Sequence, residues 1–174
     1  EFQARGAVHY HGIASIADAP DLWRLCQDGG EQAIIEWVEN IVRVTATHPD
    51  PTSLDQNFGG QFDYVNPLTK DFRDVFHDMD DDYRHTINTC ERHFCSRGYC
   101  LRRGVCKFGF PKGLLATSQI VRDRRGRYII EIARNDTLVN THIKVVLITW
   151  RANIDMSIII DPDAVRRYVS KYAS

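Results

Sequence analysis

Three groups of residues have the types and spacing for chemistry. His9 and His11 sit two apart, so on a β-strand both imidazoles leave the same face and reach one divalent ion while Tyr10 turns into the other layer. Glu1 and Gln3 fall on the preceding limb of the same apparent hairpin and offer an oxygen ligand opposite them. Two imidazoles with one carboxylate or amide leave open positions, which suits Mg²⁺ or Mn²⁺ acting as a Lewis acid on a phosphate. Two surface histidines on an edge strand would give the same pattern. Tyr168 and Tyr172 are four residues apart beside Lys171, one turn apart on one helix face. A phenol ionises near pH 10, so as a nucleophile it needs a cation or metal nearby; ring packing in a core or groove is the other reading.

The third group is a knot of cysteine and histidine between His85 and Cys106. It contains Cys90, His93, Cys95 and Cys100 as well, whereas the fifth cysteine, Cys26, stands alone. Such clustering fits a metal site better than a disulfide framework, and its thiolates and imidazoles supply a tetrahedral zinc set. The preferred set is His85, Cys90, Cys100 and Cys106, with His93 and Cys95 as alternates. An all-sulfur-and-nitrogen site has no open position, so its role would be structural.

Around the knot lie Arg92, Arg97, Arg102, Arg103, Lys107 and Lys112, interleaved with Phe94, Tyr99, Phe108 and Phe110, and a second basic run covers Arg122, Arg124, Arg125 and Arg127. Cations alternating with flat rings suit a surface that tracks phosphates and stacks bases, with a merely solvated basic loop as the alternative. Net charge gives no such hint. The chain of 174 residues carries 22 Lys and Arg against 23 Asp and Glu, a net charge of -1, because an acidic stretch at Asp78, Asp80, Asp81 and Asp82 offsets the basic clusters. That acidic stretch reads as a solvated surface. With 43% hydrophobic residues the chain can bury a core. Its apolar runs fall well short of the ~20 residues that span a bilayer, so no membrane partner is expected.

The elements that must position these groups follow from periodicity. Residues 1–16 read as a hairpin turning near Arg5-Gly6. Ala33, Ile34, Trp37, Val38, Ile41 and Val42 recur at helical spacing. Residues 49–70, rich in Pro, Gly and polar side chains, read as a long excursion. Residues 128–132, 143–150 and 156–160 read as strands of an antiparallel sheet, and Asp161 or Asp163 caps a helix that runs to Tyr172. The class is α+β.

Taken in order, the segment from Glu1 to His11, the segment from His85 through Thr86 to Cys90, Cys106-Lys107-Phe108-Gly109-Phe110-Pro111, Arg151-Ala152-Asn153-Ile154-Asp155 and Tyr168-Val169-Ser170-Lys171-Tyr172 resemble the Rep domain of Helitron transposases, a branch of the HUH endonucleases. The resemblance spans nearly the whole chain. It implies a central antiparallel sheet flanked by helices, with a zinc-binding insertion over residues 84–112 of a single domain, 1–174. It further implies Mg²⁺ or Mn²⁺ on His9, His11 and Glu1, with Gln3 the fallback ligand, and Tyr168 and Tyr172 as the nucleophiles. Arg97, Arg102, Arg103, Lys107 and Lys171 would then bind single-stranded DNA. The family's architecture implies a superfamily 1 helicase downstream, so that this chain is a fragment of a larger protein, and a nuclear location. Two departures stand out: the strand expected before Glu1 is absent, and the knot carries extra Cys and His residues.

Overall fold

The computed structural model of the chain describes residues 12–50, 79–95 and 99–172, with side chains through Ser170. Its fold is mixed α+β, with helices and small antiparallel sheets. Of the hairpin expected over residues 1–16, residues 1–11 lie outside the described residues, and 12–16 form no strand, with Ile13 and Ile16 exposed. Most of the excursion at 49–70 also lies outside the described residues.

Helix α1 (Leu22–Gln27) begins where the Asp21 carboxylate accepts from the Arg24 amide at 2.9 Å. Helix α2 (Glu31–Glu36) widens into a π-helical turn over Trp37–Val42 and stops at Arg43, whose φ is 60°. Of the predicted face, Ile34 and Val38 are fully buried and Trp37 and Val42 pack against their core, whereas Ala33 is exposed. Ile41 also stays exposed, because the wider turn rotates it off the buried face. Strand β1 (Val44–Thr45) follows.

Helix α3 (Met79–Thr86) runs into a second π-helical turn, Ile87–Glu91. Strands β2 (Leu101–Arg102) and β3 (Val105–Cys106) form one hairpin, and β4 (Gln119–Arg122) and β5 (Tyr128–Glu131) form another. Strand β6 (His142–Ile143) pairs with β1. Helices α4 (Lys144–Trp150) and α5 (Pro162–Tyr172) complete the described chain. Among the described residues the strands thus pair two by two, and no single central sheet of the kind expected joins them.

Three sequence expectations are corrected. Residues 143–150 form β6 and then α4 rather than a strand. Their β-branched run also carries helical spacing, and burial of Leu147 against Tyr83, Ile87 and Val139 decides in favour of the helix. Residues 156–160 are irregular rather than a strand, although Ile158 and Ile160 still reach the core around Ile34, Val38 and Val44. The acidic stretch is not simply solvated. Asp82 is buried and meets Arg151 through two bonds, Nη1 to Oδ1 at 2.8 Å and Nη2 to Oδ2 at 2.6 Å, with side-chain exposures of 2% and 8%. Asp80 pairs with Lys144 and Asp81 with Arg84.

The Asp82–Arg151 fork ties α3 to the end of α4. Removing one partner leaves a buried charge alone, so Arg151→Ala or Asp82→Ala is expected to cost about 3–5 kcal/mol, read from urea unfolding. A loss within error of zero would contradict the assignment.

Two further buried groups define a pH dependence. The His142 Nε2 faces the Tyr83 hydroxyl at 2.8 Å and its Nδ1 faces the Asn140 carbonyl at 2.9 Å, so Nδ1 carries the proton and Nε2 accepts. At His48 the Asp50 amide donates to Nδ1 at 2.9 Å, and Nε2 donates to Asn88 Oδ1 at 3.1 Å. A second proton on His48 would face the Asp50 amide donor, and one on His142 would force the Tyr83 hydroxyl to turn from donor to acceptor. Desolvation is the leading cause that lowers both pKa values, overriding the hydrogen bonds that raise them. The unfolded chain therefore takes up protons first. This stabilisation is complete above the ordinary histidine value, about 6.5, and is lost as pH falls below it. Buried Glu91 works in the opposite sense, since burial pushes it up to about 8 and its contribution grows as pH falls. The histidine contribution is therefore read in Glu91→Gln, whose urea midpoints are expected to decline as pH drops from neutrality through the histidine value; a flat profile in that variant would contradict the assignment.

Candidate metal centre and aromatic rim

The β2–β3 hairpin turns through Arg103 (φ 53°) and Gly104 (φ 81°), a two-residue connection with both residues left-handed. This geometry matches the twist of paired strands. It pairs Leu101 with Cys106, and the Lys107 amide donates to the Cys100 carbonyl at 2.8 Å, so the turn brings Cys100 and Cys106 together. His93 is fixed from the other side. Its amide donates to the Leu138 carbonyl at 2.7 Å, and the preceding Arg92 binds Asp136 at 3.1 Å.

The result is a quartet of His93, Cys95, Cys100 and Cys106, whose ligand atoms all lie within 4.8 Å of one another; it could hold a metal ion such as zinc. Tetrahedral zinc, with bonds of roughly 2.0–2.3 Å, places ligand atoms roughly 3.3–3.8 Å apart. The Cys106 Sγ lies 3.3 Å from His93 Nε2, within that span. Burial and the neighbouring Cys106 and Cys100 thiols push Cys95 up to about 12. At Cys106 desolvation also raises the pKa but is outweighed by the amides of Phe110 and Phe108 and by the Cys95 and Cys100 thiols, so that thiol lies below its ordinary range. Three crowded thiols cannot all ionise unaided. A dication would relieve that conflict.

The preferred sequence quartet is corrected at two positions. His85 and Cys90 lie on α3 and its π-helical extension and do not join the cluster. The helix carries them toward α4, where the Cys90 thiol contacts the Arg151 carbonyl at 3.6 Å and His85 feels the charges of Asp82 and Arg151. The alternates His93 and Cys95 take their places. The sequence signal for this is the Arg103-Gly104 turn, which sets Cys106 opposite Leu101 and so next to Cys100, and favours ligands close before them.

The basic residues divide into two kinds. Arg127 is paired with Asp123, Arg122 stacks over the Tyr128 ring at 4.1 Å, and Arg134 is buried against the Val139 and Asp136 carbonyls. These serve the fold. Arg102, Arg103 and Lys107 are exposed on the hairpin and just past it. Arg97 lies outside the described residues.

Helix α5 starts where Asp161 accepts from the Asp163 amide at 2.9 Å, which selects Asp161 over Asp163 as the cap. Tyr168 is half-buried on this helix. Lys171 and Tyr172 continue its backbone, but the expectations for their side chains lie outside the described residues, as do those for Glu1, Gln3, His9 and His11. The structure therefore gathers the Cys/His centre and leaves the Mg²⁺ or Mn²⁺ site without described geometry. Among the described residues no helix is long and apolar enough to cross a membrane. No protein-family model, curated protein or solved structure matches the chain.

Proposed function

We propose that the chain is a two-tyrosine HUH endonuclease of the Helitron Rep type, which nicks and rejoins single-stranded DNA, with zinc in the His93, Cys95, Cys100 and Cys106 centre. The observation that carries this reading is the ordered set of His9-Tyr10-His11, the Cys/His knot and Tyr168-x3-Tyr172, with both tyrosines on the uninterrupted helix α5. On such a helix the two residues lie one turn apart on one face.

A divalent ion held by His9, His11 and Glu1 or Gln3 would supply Lewis-acid polarisation of the scissile phosphate. The Tyr168 or Tyr172 phenol loses its proton as its oxygen attacks phosphorus in line. The bond from phosphorus to the 3′-oxygen breaks, that oxygen takes a proton, and the products are a 5′-phosphotyrosine and a free 3′-OH. The broken ester is replaced by a tyrosyl phosphoester, which keeps the bond energy, so another 3′-OH can reverse the step. With two tyrosines, a second cleavage can proceed while the first intermediate persists. This suits strand transfer for rolling-circle transposition, with a superfamily 1 helicase as the expected partner and the nucleus as the place of action.

Labelled single-stranded DNA incubated with the protein and Mn²⁺ is expected to give a shifted, protease-sensitive band on a denaturing gel. Cleaved DNA without that band would favour a water-activating metallohydrolase and overturn the proposal. The cationic, aromatic surface beside the metal centre supports a second reading, a non-catalytic zinc-stabilised DNA-binding domain. Binding without any cleavage would favour it.

A further inference from the structure

Within the zinc-binding segment, residues 93–112 include Arg97, Arg102, Arg103, Lys107 and Lys112 and no Asp or Glu. Arg102, Arg103 and Lys107 are exposed and have no ion pair among the described residues. Beside them two large rings stay at the surface, Tyr99 at 41% and Phe108 at 45% exposure. Their centroids are 5.6 Å apart and tilted by 47°, and the Lys107 ammonium lies 4.5 Å from the first and 4.7 Å from the second. Phe110 differs. It is buried and stacks on the His93 ring at 4.3 Å, so it is a wall of the metal centre rather than a contact surface. Phe108 leans its edge on the same imidazole at 5.8 Å.

From this juxtaposition we infer that Tyr99 and Phe108 form a base-stacking platform for single-stranded nucleic acid, with Lys107 between them and Arg102 and Arg103 beside it meeting the phosphates. A strand of flat bases on a polyanionic backbone complements rings interleaved with cations. A duplex stacks its bases on one another and presents no free faces to the rings. The metal is integral to the platform, because its ligand His93 supports Phe108 directly. The inference deepens the DNA-nicking proposal by assigning its strand-binding surface, and it names base stacking as the source of its preference for single strands.

The test is fluorescence anisotropy with a labelled short oligothymidylate, an abasic deoxyribose-phosphate strand of equal length, the corresponding duplex, and phosphatidylserine vesicles as competitor. The wild-type chain is expected to bind oligothymidylate about tenfold tighter than the abasic strand, as base stacking predicts. Tyr99→Leu and Phe108→Leu should each remove most of that preference while leaving abasic affinity unchanged. Lys107→Gln should weaken both strands equally. Phe108→Trp should retain affinity, with its indole emission quenched on binding. Metal content shows whether each variant keeps its centre; if Phe108→Leu loses it, Tyr99→Leu and Phe108→Trp carry the test. Equal affinity for the abasic strand, leucine variants that bind like wild type, or displacement of the oligonucleotide by the vesicles would overturn the inference. A protein that forms no tyrosine adduct yet keeps the base-dependent affinity fails only the nicking proposal. Adduct formation with base-independent binding fails only the platform.

Discussion

Cys106→Ser is expected to empty the metal centre and unfold the β2–β3 knuckle while the remaining described fold stays intact. The reason is the composition of the local core. Its buried members are Cys100, Cys106 and Phe110, with Cys95, Leu101 and Leu138 packed partly against them, so the ligands are themselves much of the core. Two strands of two residues have little stability alone, whereas a structural zinc supplies an apparent ~10–16 kcal/mol in small zinc peptides. The other two clusters, around Ile34 and Val38 and around Tyr83 and Leu147, share no member with this one. Amide hydrogen exchange should therefore show lost protection at Lys107 and Gly109, whose amides bond to the Cys100 and Cys106 carbonyls, and retained protection across β4 and β5. Cys90→Ser is the control. Its thiol contacts Arg151 and lies outside the quartet, so that variant should keep its full metal content. Metal loss on Cys90→Ser, or a protected knuckle in metal-free Cys106→Ser, would contradict the ligand assignment.

The second large effect concerns the tyrosines. Tyr168→Phe with Tyr172→Phe should abolish the covalent DNA adduct, since losing a covalent nucleophile costs on the order of 10⁶-fold in well-studied hydrolases. The substitution removes only a hydroxyl. Helix α5 keeps its Asp161 cap and its Arg167–Asp161 pair at 3.0 Å, so folding and strand affinity should stay at wild-type level. Single variants separate the two roles: one should lose the first cleavage and the other only the second transfer. Adduct formation by the double variant would place the nucleophile elsewhere.

The parts of this fold legible in the sequence are those whose signals were local. The Asp161 cap and the spacing of Ala164, Val165 and Tyr168 mark α5, and the Tyr128–Glu131 strand follows from its own residues. Strand β4 is hidden in the sequence, because Arg122 to Arg127 reads as a basic run; Asp123 accepts from the Arg125 and Arg127 amides and turns that run into a hairpin. Helix α4 is not legible in its own residues, because its β-branched side chains favour a strand locally, and only the packing of Leu147 on Tyr83 of α3 and nearby Ile87 reverses that. The metal centre was legible in its chemistry and only partly in its membership. Spacing alone ranks His85 and Cys90 with the rest, whereas the direction in which α3 carries them is a property of tertiary packing. The burial of Asp82 against Arg151 was illegible for the same reason, as the two are far apart in the chain.

The central claim is that a tyrosine of α5 becomes covalently joined to DNA. Trypsin cuts after Arg167 and Lys171, which places Tyr168 and Tyr172 on different peptides. Mass spectrometry of the tryptic, nuclease-trimmed product of a Mn²⁺ reaction on single-stranded DNA tests the claim most directly. The account predicts a nucleotide linked through a 5′-phosphate to the peptide that begins at Tyr168 or to the one that begins at Tyr172. Cleaved DNA with both peptides unmodified would contradict it.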